Sequence, residues 1–266
     1  MSKIVLITGT SSGLGGAIAG YLSAKGHIVY GASRSLPQEQ PAFRPIVMDV
    51  GDEKSVQQAV GTLLLEQGRI DVLINNAGLG IAGPVEHLLL ADVKKVFDTN
   101  VFGVLRTCQA VLPSMRKQGS GLIINISSIG SETGLPYRGA YSASKAALDR
   151  LTEALRMELA PFGINACYLQ PGGIITDINK NRITTLLPAG SPYQESFDRC
   201  YDVVNSSVSK GMDTALFGPV VEKIIQSRKV KRCYRVGKPL EKLSVFLKGA
   251  LPGKTYEKLV SNHYQV

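Results

Sequence analysis

Ile4-Val5-Leu6-Ile7-Thr8-Gly9-Thr10-Ser11-Ser12-Gly13-Leu14-Gly15-Gly16 is a short apolar, β-branched run that breaks into a glycine-rich turn and then into helix-forming sequence. Glycines let backbone N–H groups come close to a phosphate, and a helix that starts there adds a favourable dipole. The spacing is Gly-x-x-x-Gly-x-Gly, not the Gly-x-Gly-x-x-Gly of the usual dinucleotide fingerprint. A plain tight turn would use the same glycines; the strand–turn–helix setting favours a pyrophosphate. Gly9, Ser11, Ser12, Gly13, Leu14 and Gly15 are therefore the first candidate binding residues.

Working outward, similar apolar runs recur at 3–8, 27–32, 44–49, 72–75, 121–127, 164–170 and 233–236. The segments between them, such as 53–67, 92–117, 140–160 and 213–227, carry apolar residues at three- and four-residue intervals, the period of a helix with one buried face. Seven strands alternating with helices predict an α/β chain: a doubly wound, parallel seven-stranded sheet with helices on both faces. Ligands of such sheets bind beyond the carboxyl ends of the strands, where strand order reverses.

Composition agrees with one globular domain. Of 266 residues, 44% are hydrophobic and 19% charged, with no low-complexity stretch or repeat. The amino end runs directly into the first strand, leaving no room for a signal peptide, and no apolar run reaches membrane-spanning length. The expectation is a cytoplasmic protein. Cys108, Cys167, Cys200 and Cys233 lack paired spacing and an accompanying His pattern, so they read as structural reduced thiols and no metal site is expected. Of the net charge of +9, +8 lies between Glu222 and Val266, where eleven Lys/Arg face three Glu. A basic tail on a near-neutral body suits an acidic partner, a phosphorylated ligand or an anionic membrane surface. Without interleaved aromatics or a recognition motif it does not read as binding nucleic acid.

Tyr141 and Lys145, in Tyr-Ser-Ala-Ser-Lys, stand one helical turn apart, and Ser128 ends the apolar run before them. A free phenol titrates near about 10 and becomes a useful base at neutral pH only where a fixed cation favours its phenolate. A phenol, an ammonium and a hydroxyl brought together form an acid–base site, the hydroxyl supporting the oxygen on which charge develops. The spacing alone is common in amphipathic helices, so its weight comes from its neighbours. The second strand ends in Ser33-Arg34, where NAD-preferring sites commonly place an acid for the ribose hydroxyls. Ser33 and Arg34 suit a 2′-phosphate instead, Arg34 through charge-assisted hydrogen bonds.

Taken in order, Thr8-Gly9-x-x-x-Gly13-x-Gly15, Asp49-Val50, Asn75-Asn76-Ala77-Gly78, Asn100, Ser128, Tyr141-x-x-x-Lys145 and Pro171-Gly172-x-x-x-Thr176 resemble the short-chain dehydrogenase/reductase family, over most of the chain up to about Ser227. The resemblance implies a Rossmann-type domain over 1–238. It implies Tyr141 as proton donor or acceptor, Ser128 as the substrate-orienting hydroxyl, and Lys145 as the group that binds the nicotinamide ribose and tunes Tyr141. Asn100 would hold a water on the Lys145 side; read without the family, a helix-interior amide equally bonds backbone. Asp49 and Val50 would flank the adenine, Asn76, Ala77 and Gly78 the adenosine and ribose, and Pro171, Gly172, Ile174 and Thr176 the nicotinamide. Asn75 and Asp71 read as structural. Ser12 stands where many NADP-dependent relatives carry a basic residue, which leaves most phosphate recognition to Arg34. NADP(H) is the expected cofactor, with NAD kept in play.

Gly80–Glu86, Asn100–Gly103, Leu159–Gly163 and Tyr234–Gly237 are most similar to the branch with 17β-hydroxysteroid and retinol dehydrogenases and lipid-related carbonyl reductases. That implies hydride transfer between nicotinamide and an apolar carbonyl or alcohol such as a steroid, retinoid or lipid, in a homo-oligomer. The rival readings are a reductase of small or acyl-type carbonyls, a dinucleotide-sensing regulator, which would not need Ser128, Tyr141 and Lys145, and a scaffold working through its tail. Residues 176–213, with Leu186, Leu187, Pro188, Pro192, Tyr193, Phe197 and Tyr201, read as a lid over an apolar pocket shared with Leu79, Ile81, Leu135 and Tyr137. The extension 239–266 is basic and amphipathic. Leu240, Leu243, Phe246, Leu247, Ala250 and Leu251 share roughly one helical face, which would either pack on the body or a second subunit or lie on a membrane surface.

Overall fold

A computed structural model describes residues 2–175 and 182–266. Its large sheet contains β1 (Ile4–Thr8), β2 (Ile28–Ser33), β3 (Arg44–Val47), β4 (Val72–Asn75), β6 (Gly121–Ile126), β7 (Ile164–Pro171) and β9 (Cys233–Val236). Its order is β3-β2-β1-β4-β6-β7-β9, with every pairing parallel. Each expected strand is present. The strands are rich in Val, Ile and Leu because both faces are covered. On one face Leu6, Leu73 and Ile123 pack with α2 (Glu53–Gln67), α4 (Gly103–Gln118) and α5 (Gly139–Leu159). On the other, Val5, Ile7 and Ile124 pack with α1 (Gly13–Ala24) and α7 (Phe217–Ile225). The order reverses between β1 and β4, and the glycine-rich turn, Asn76 and Ser128 all follow strand ends there.

Three regions differ from the sequence pattern. The single helix expected over 92–117 is α3 (Leu90–Phe97), a π-helical turn (Asp98–Phe102) and α4. The described part of the expected lid, 182–213, contains regular structure: β8 (Ile183–Thr184) pairs with β5 (Ile81–Ala82), and α6 (Gln194–Ser209) follows. The tail forms two helices, α8 (Pro239–Ala250) and α9 (Gly253–Tyr264). Among the described residues, no helix is long and apolar enough to cross a membrane. All four cysteines are free thiols; burial pushes Cys108 and Cys167 up to about 12 and Cys200 to about 11, so none is a ready nucleophile.

Candidate active site

The turn between β1 and α1 is shaped by close approach of backbone. Gly9 has φ +72°, and a Cβ there would stand 2.8 Å from Ala77 Cα. A Cβ on Gly15 would stand 2.3 Å from the Gly9 carbonyl oxygen. Asn76 fastens this turn from the end of β4: its amide Nδ2 donates to the Thr8 and Gly9 carbonyls at 3.0 and 2.9 Å. The Thr8 hydroxyl in turn accepts from the Asn76 and Ala77 amides, each at 3.0 Å. Gly9, Ser11, Ser12 and Gly13 line the cavity at the start of α1, and a Cβ at Gly9 or Gly15 would crowd the turn; this small-residue cradle at a helix start fits a pyrophosphate. Asn75 stays inside, between Thr107 and Asn125, and Asp71 accepts from the Ile4 amide, so both are structural as expected.

A cavity of about 850 Å³ begins at this turn. Gly9, Ser11, Ser12, Gly13, Leu14, Ser33, Arg34, Asp49, Val50, Asn76, Ala77, Gly78, Pro171, Gly172 and Ile174 line it, so the structure brings nearly all the candidate cofactor residues to one wall. Gly15 lies just behind them, where its lack of a side chain lets the helix approach Gly9. Thr176 lies outside the described residues.

Farther along, the same cavity reaches Ser128, Tyr141 and Lys145. Ser128 caps a 3₁₀ turn after β6; its Oγ accepts from the Gly130 amide at 3.0 Å, which fixes the oxygen and leaves its O–H free to donate. Gly130 is the spacer between Ser128 and Tyr141: a Cβ on it would meet Ser128 Oγ at 3.3 Å and Tyr141 Cε1 at 3.9 Å. Tyr141 and Lys145 lie one turn apart near the start of α5, both buried. Lys145 Nζ donates to the Ile126 carbonyl at 2.9 Å. Burial pushes its pKa below the usual lysine value, while the Tyr141 phenol and Asp149 carboxylate oppose that push. The Arg138 guanidinium sits 5.2 Å from the centre of the Tyr141 ring.

Asn100 is fully buried in the π-helical turn. Oδ1 accepts from the Leu79 amide at 2.8 Å, while Nδ2 donates to the Leu79 carbonyl at 2.9 Å and to Ser144 Oγ at 3.0 Å. Ser144 donates to the Tyr141 carbonyl at 2.8 Å. The side chain thus ties Leu79 to α5. A Cβ on Gly78 would lie between Asn100 Oδ1 and Lys145 Nζ, at 3.3 and 3.4 Å.

A short-chain dehydrogenase model matches residues 3–186. The chain belongs to the short-chain dehydrogenase/reductase family. It is 41% identical, over 99% of its length and 98% of the relative's, to 3-ketodihydrosphingosine reductase of Bacteroides thetaiotaomicron. It is 38% identical to human 17-beta-hydroxysteroid dehydrogenase type 1 over 65% of this chain and 57% of the relative. Among solved structures, a short-chain dehydrogenase of Streptomyces avermitilis is 31% identical with a TM-score of 0.83, covering 98% of this chain and 96% of that one. This short-chain dehydrogenase/reductase is thus an oxidoreductase of a family that binds a nicotinamide dinucleotide.

The substrate end departs from the residues that the sequence singled out. Leu79, Ile81 and Leu135 line the cavity as expected, but Phe197 packs edge-on against Tyr137 and beside Tyr201, and Leu186 is 92% exposed. The wall of α6 is Val204, Ser207 and Val208. The largest omission is the tail: Leu240, Val245 and Leu247 from α8, with Tyr256, Leu259 and Val260 from α9, close the far side. The apolar spacing of Leu240 and Leu247 was visible in sequence, but not that the tail returns to the active-site end.

Proposed function

We propose that this enzyme is an NADP(H)-dependent reductase or dehydrogenase of long-chain, lipid-like ketones or alcohols. One observation carries the reading: the cavity that holds Ser128, Tyr141 and Lys145 continues into a wall of Leu240, Val245, Leu247, Leu259 and Val260. Such a wall suits an alkyl chain better than a small polar carbonyl. The resemblance to a reductase named for 3-ketodihydrosphingosine supports a long-chain 3-keto substrate.

When bound, the dinucleotide supplies or accepts the hydride. Tyr141 donates its hydroxyl proton to the carbonyl oxygen during reduction, or takes the alcohol proton during oxidation. Ser128, with Oγ fixed by the Gly130 amide, donates to that same oxygen. Lys145, anchored on the Ile126 carbonyl, places a cation beside Tyr141 and the nicotinamide ribose. Asn100 is a positioning residue that holds Leu79 and, through Ser144, the start of α5. Arg34, exposed at the end of β2 and helped by Ser33 and Ser12, pairs with a 2′-phosphate.

The test is NADPH oxidation followed spectroscopically with long-chain 3-ketones, steroids, retinoids and small aldehydes. Turnover should be strongest with long-chain ketones; a preference for the small aldehydes would refute the substrate reading. Tyr141→Phe should lower kcat by about a thousandfold or more while leaving NADPH affinity within about twofold. A variant that retains turnover would sink the assignment of Tyr141.

A further inference from the structure

The tail helix α8 is mounted with its polar edge toward the body. Glu241 Oε1 accepts from the Gly173 amide at 2.8 Å, and Lys248, two turns further along the same edge, donates to the Glu132 carbonyl. Lys238, just before the helix, donates to the Lys210 carbonyl at 2.6 Å. The apolar stripe points the other way, with Leu240 68%, Leu243 47% and Phe246 70% exposed. A helix that packs on a core buries such a stripe; here Leu247 lines the cavity while Leu240, Leu243 and Phe246 stay exposed, so α8 covers the body with only part of its apolar face. Three large apolar side chains exposed side by side on one helix mark a contact surface.

Two features indicate what covers it. First, the extension from Lys238 onward is basic, with five lysines against two glutamates, and Glu241 is turned inward. Lys242, Lys254 and Lys258 are exposed on α8 and α9. Of the other basic residues in the carboxyl-terminal region, Arg228, Lys229, Lys231 and Arg232 precede β9 and so lie at the opposite end of the parallel sheet. Second, Leu240 and Leu259 are both exposed and part of the cavity wall, so the apolar face runs into the cavity lip.

We propose that α8, with the adjoining start of α9, docks this enzyme on an anionic lipid surface, Leu240, Leu243 and Phe246 entering the interface and the lysines meeting the head groups. A cavity lip seated in lipid lets a chain-bearing substrate enter without crossing water. That purpose rests on the lipid-substrate reading, but the docking does not require turnover and is measured without it.

The test uses the full chain and vesicles of phosphatidylcholine, alone or with about 30% phosphatidylglycerol. Co-sedimentation should occur with the mixed vesicles, fall about tenfold on neutral ones and weaken with added salt. Leu243→Glu with Phe246→Glu should reduce it a further tenfold or so, while turnover of a water-soluble ketone stays unchanged, since neither residue lines the cavity. The chain contains no Trp, so Phe246→Trp gives a second measurement that preserves the apolar face. Its emission should shift to the blue on adding mixed vesicles. The proposal is overturned if the unmodified protein stays in the supernatant with both vesicle types, or if the Trp emission does not move. It is equally overturned if the face instead holds a second copy, seen as a dimer that the double substitution dissociates without any vesicle binding.

Discussion

Two glycines five residues apart in α1 should respond oppositely to the same added methyl group. Gly15→Ala places a Cβ 2.3 Å from the Gly9 carbonyl oxygen and 2.4 Å from Asn76 Nδ2, where ordinary contact begins near 3.4 Å. The turn and the helix must separate by about 1 Å, and the Asn76 bonds to Thr8 and Gly9 are lost or stretched. Two such bonds contribute about 1 kcal/mol each and the overpacking costs about 1–3 kcal/mol. A net loss of about 3–5 kcal/mol lowers Tm by roughly 6–20 °C in a domain of this size. The same displacement moves the α1 amides off the pyrophosphate, and the loss of one charge-assisted hydrogen bond weakens NADPH binding about tenfold or more. Gly20→Ala meets nothing within 4 Å. The gain in helix propensity, about 1 kcal/mol, should raise Tm by about 2–4 °C with NADPH affinity unchanged. Thermal unfolding by circular dichroism and NADPH titration by fluorescence check both variants. Equal Tm and equal affinity for the two would refute the account of the turn.

Arg34→Asp should lower the NADP/NAD ratio of kcat/KM by roughly 10–100-fold, because it removes charge-assisted bonds to the phosphate and adds a repulsion; an unchanged ratio places the phosphate elsewhere. Lys145 has its folded pKa below the ordinary 10.5, so between the two values the unfolded chain holds a proton that the folded chain has lost, and wild-type stability rises with pH there. Lys145→Met should remove that rise, so its Tm advantage at neutral pH shrinks as the pH climbs toward 10.5; parallel Tm profiles would count against a buried, destabilised ammonium. Glu241→Ala frees the Gly173 amide and should raise KM for the dinucleotide by about three- to tenfold with little change in Tm; an unaltered KM would mean that α8 does not brace the nicotinamide end.

Much of the protein was legible because its signals are local. A parallel sheet buried on both faces demands apolar β-branched runs, and the seven runs beginning with Ile4–Thr8 and ending with Cys233–Val236 are the seven strands. Gly9 and Gly15 announce a turn where no side chain fits, and Tyr141 and Lys145 share a helix face by arithmetic. Asn100 stood out as a candidate, but nothing in its neighbourhood of sequence names Leu79 or Ser144 as its partners.

What only the tertiary structure decided lies at the substrate end. The amphipathic stripe of residues 239–251 is plain in sequence, but a stripe states a period and not a direction. Contacts with Gly173, Glu132 and Lys210, distant along the chain, turn its polar edge inward and leave Leu243 and Phe246 facing out. In the same way the aromatic residues around Phe197 pack on one another, while the cavity is closed by Leu247 and Val260 from the tail. Local patterning fixes which face of an element is apolar; which neighbour that face meets depends on contacts between residues far apart in the chain, and those exist only once it has folded.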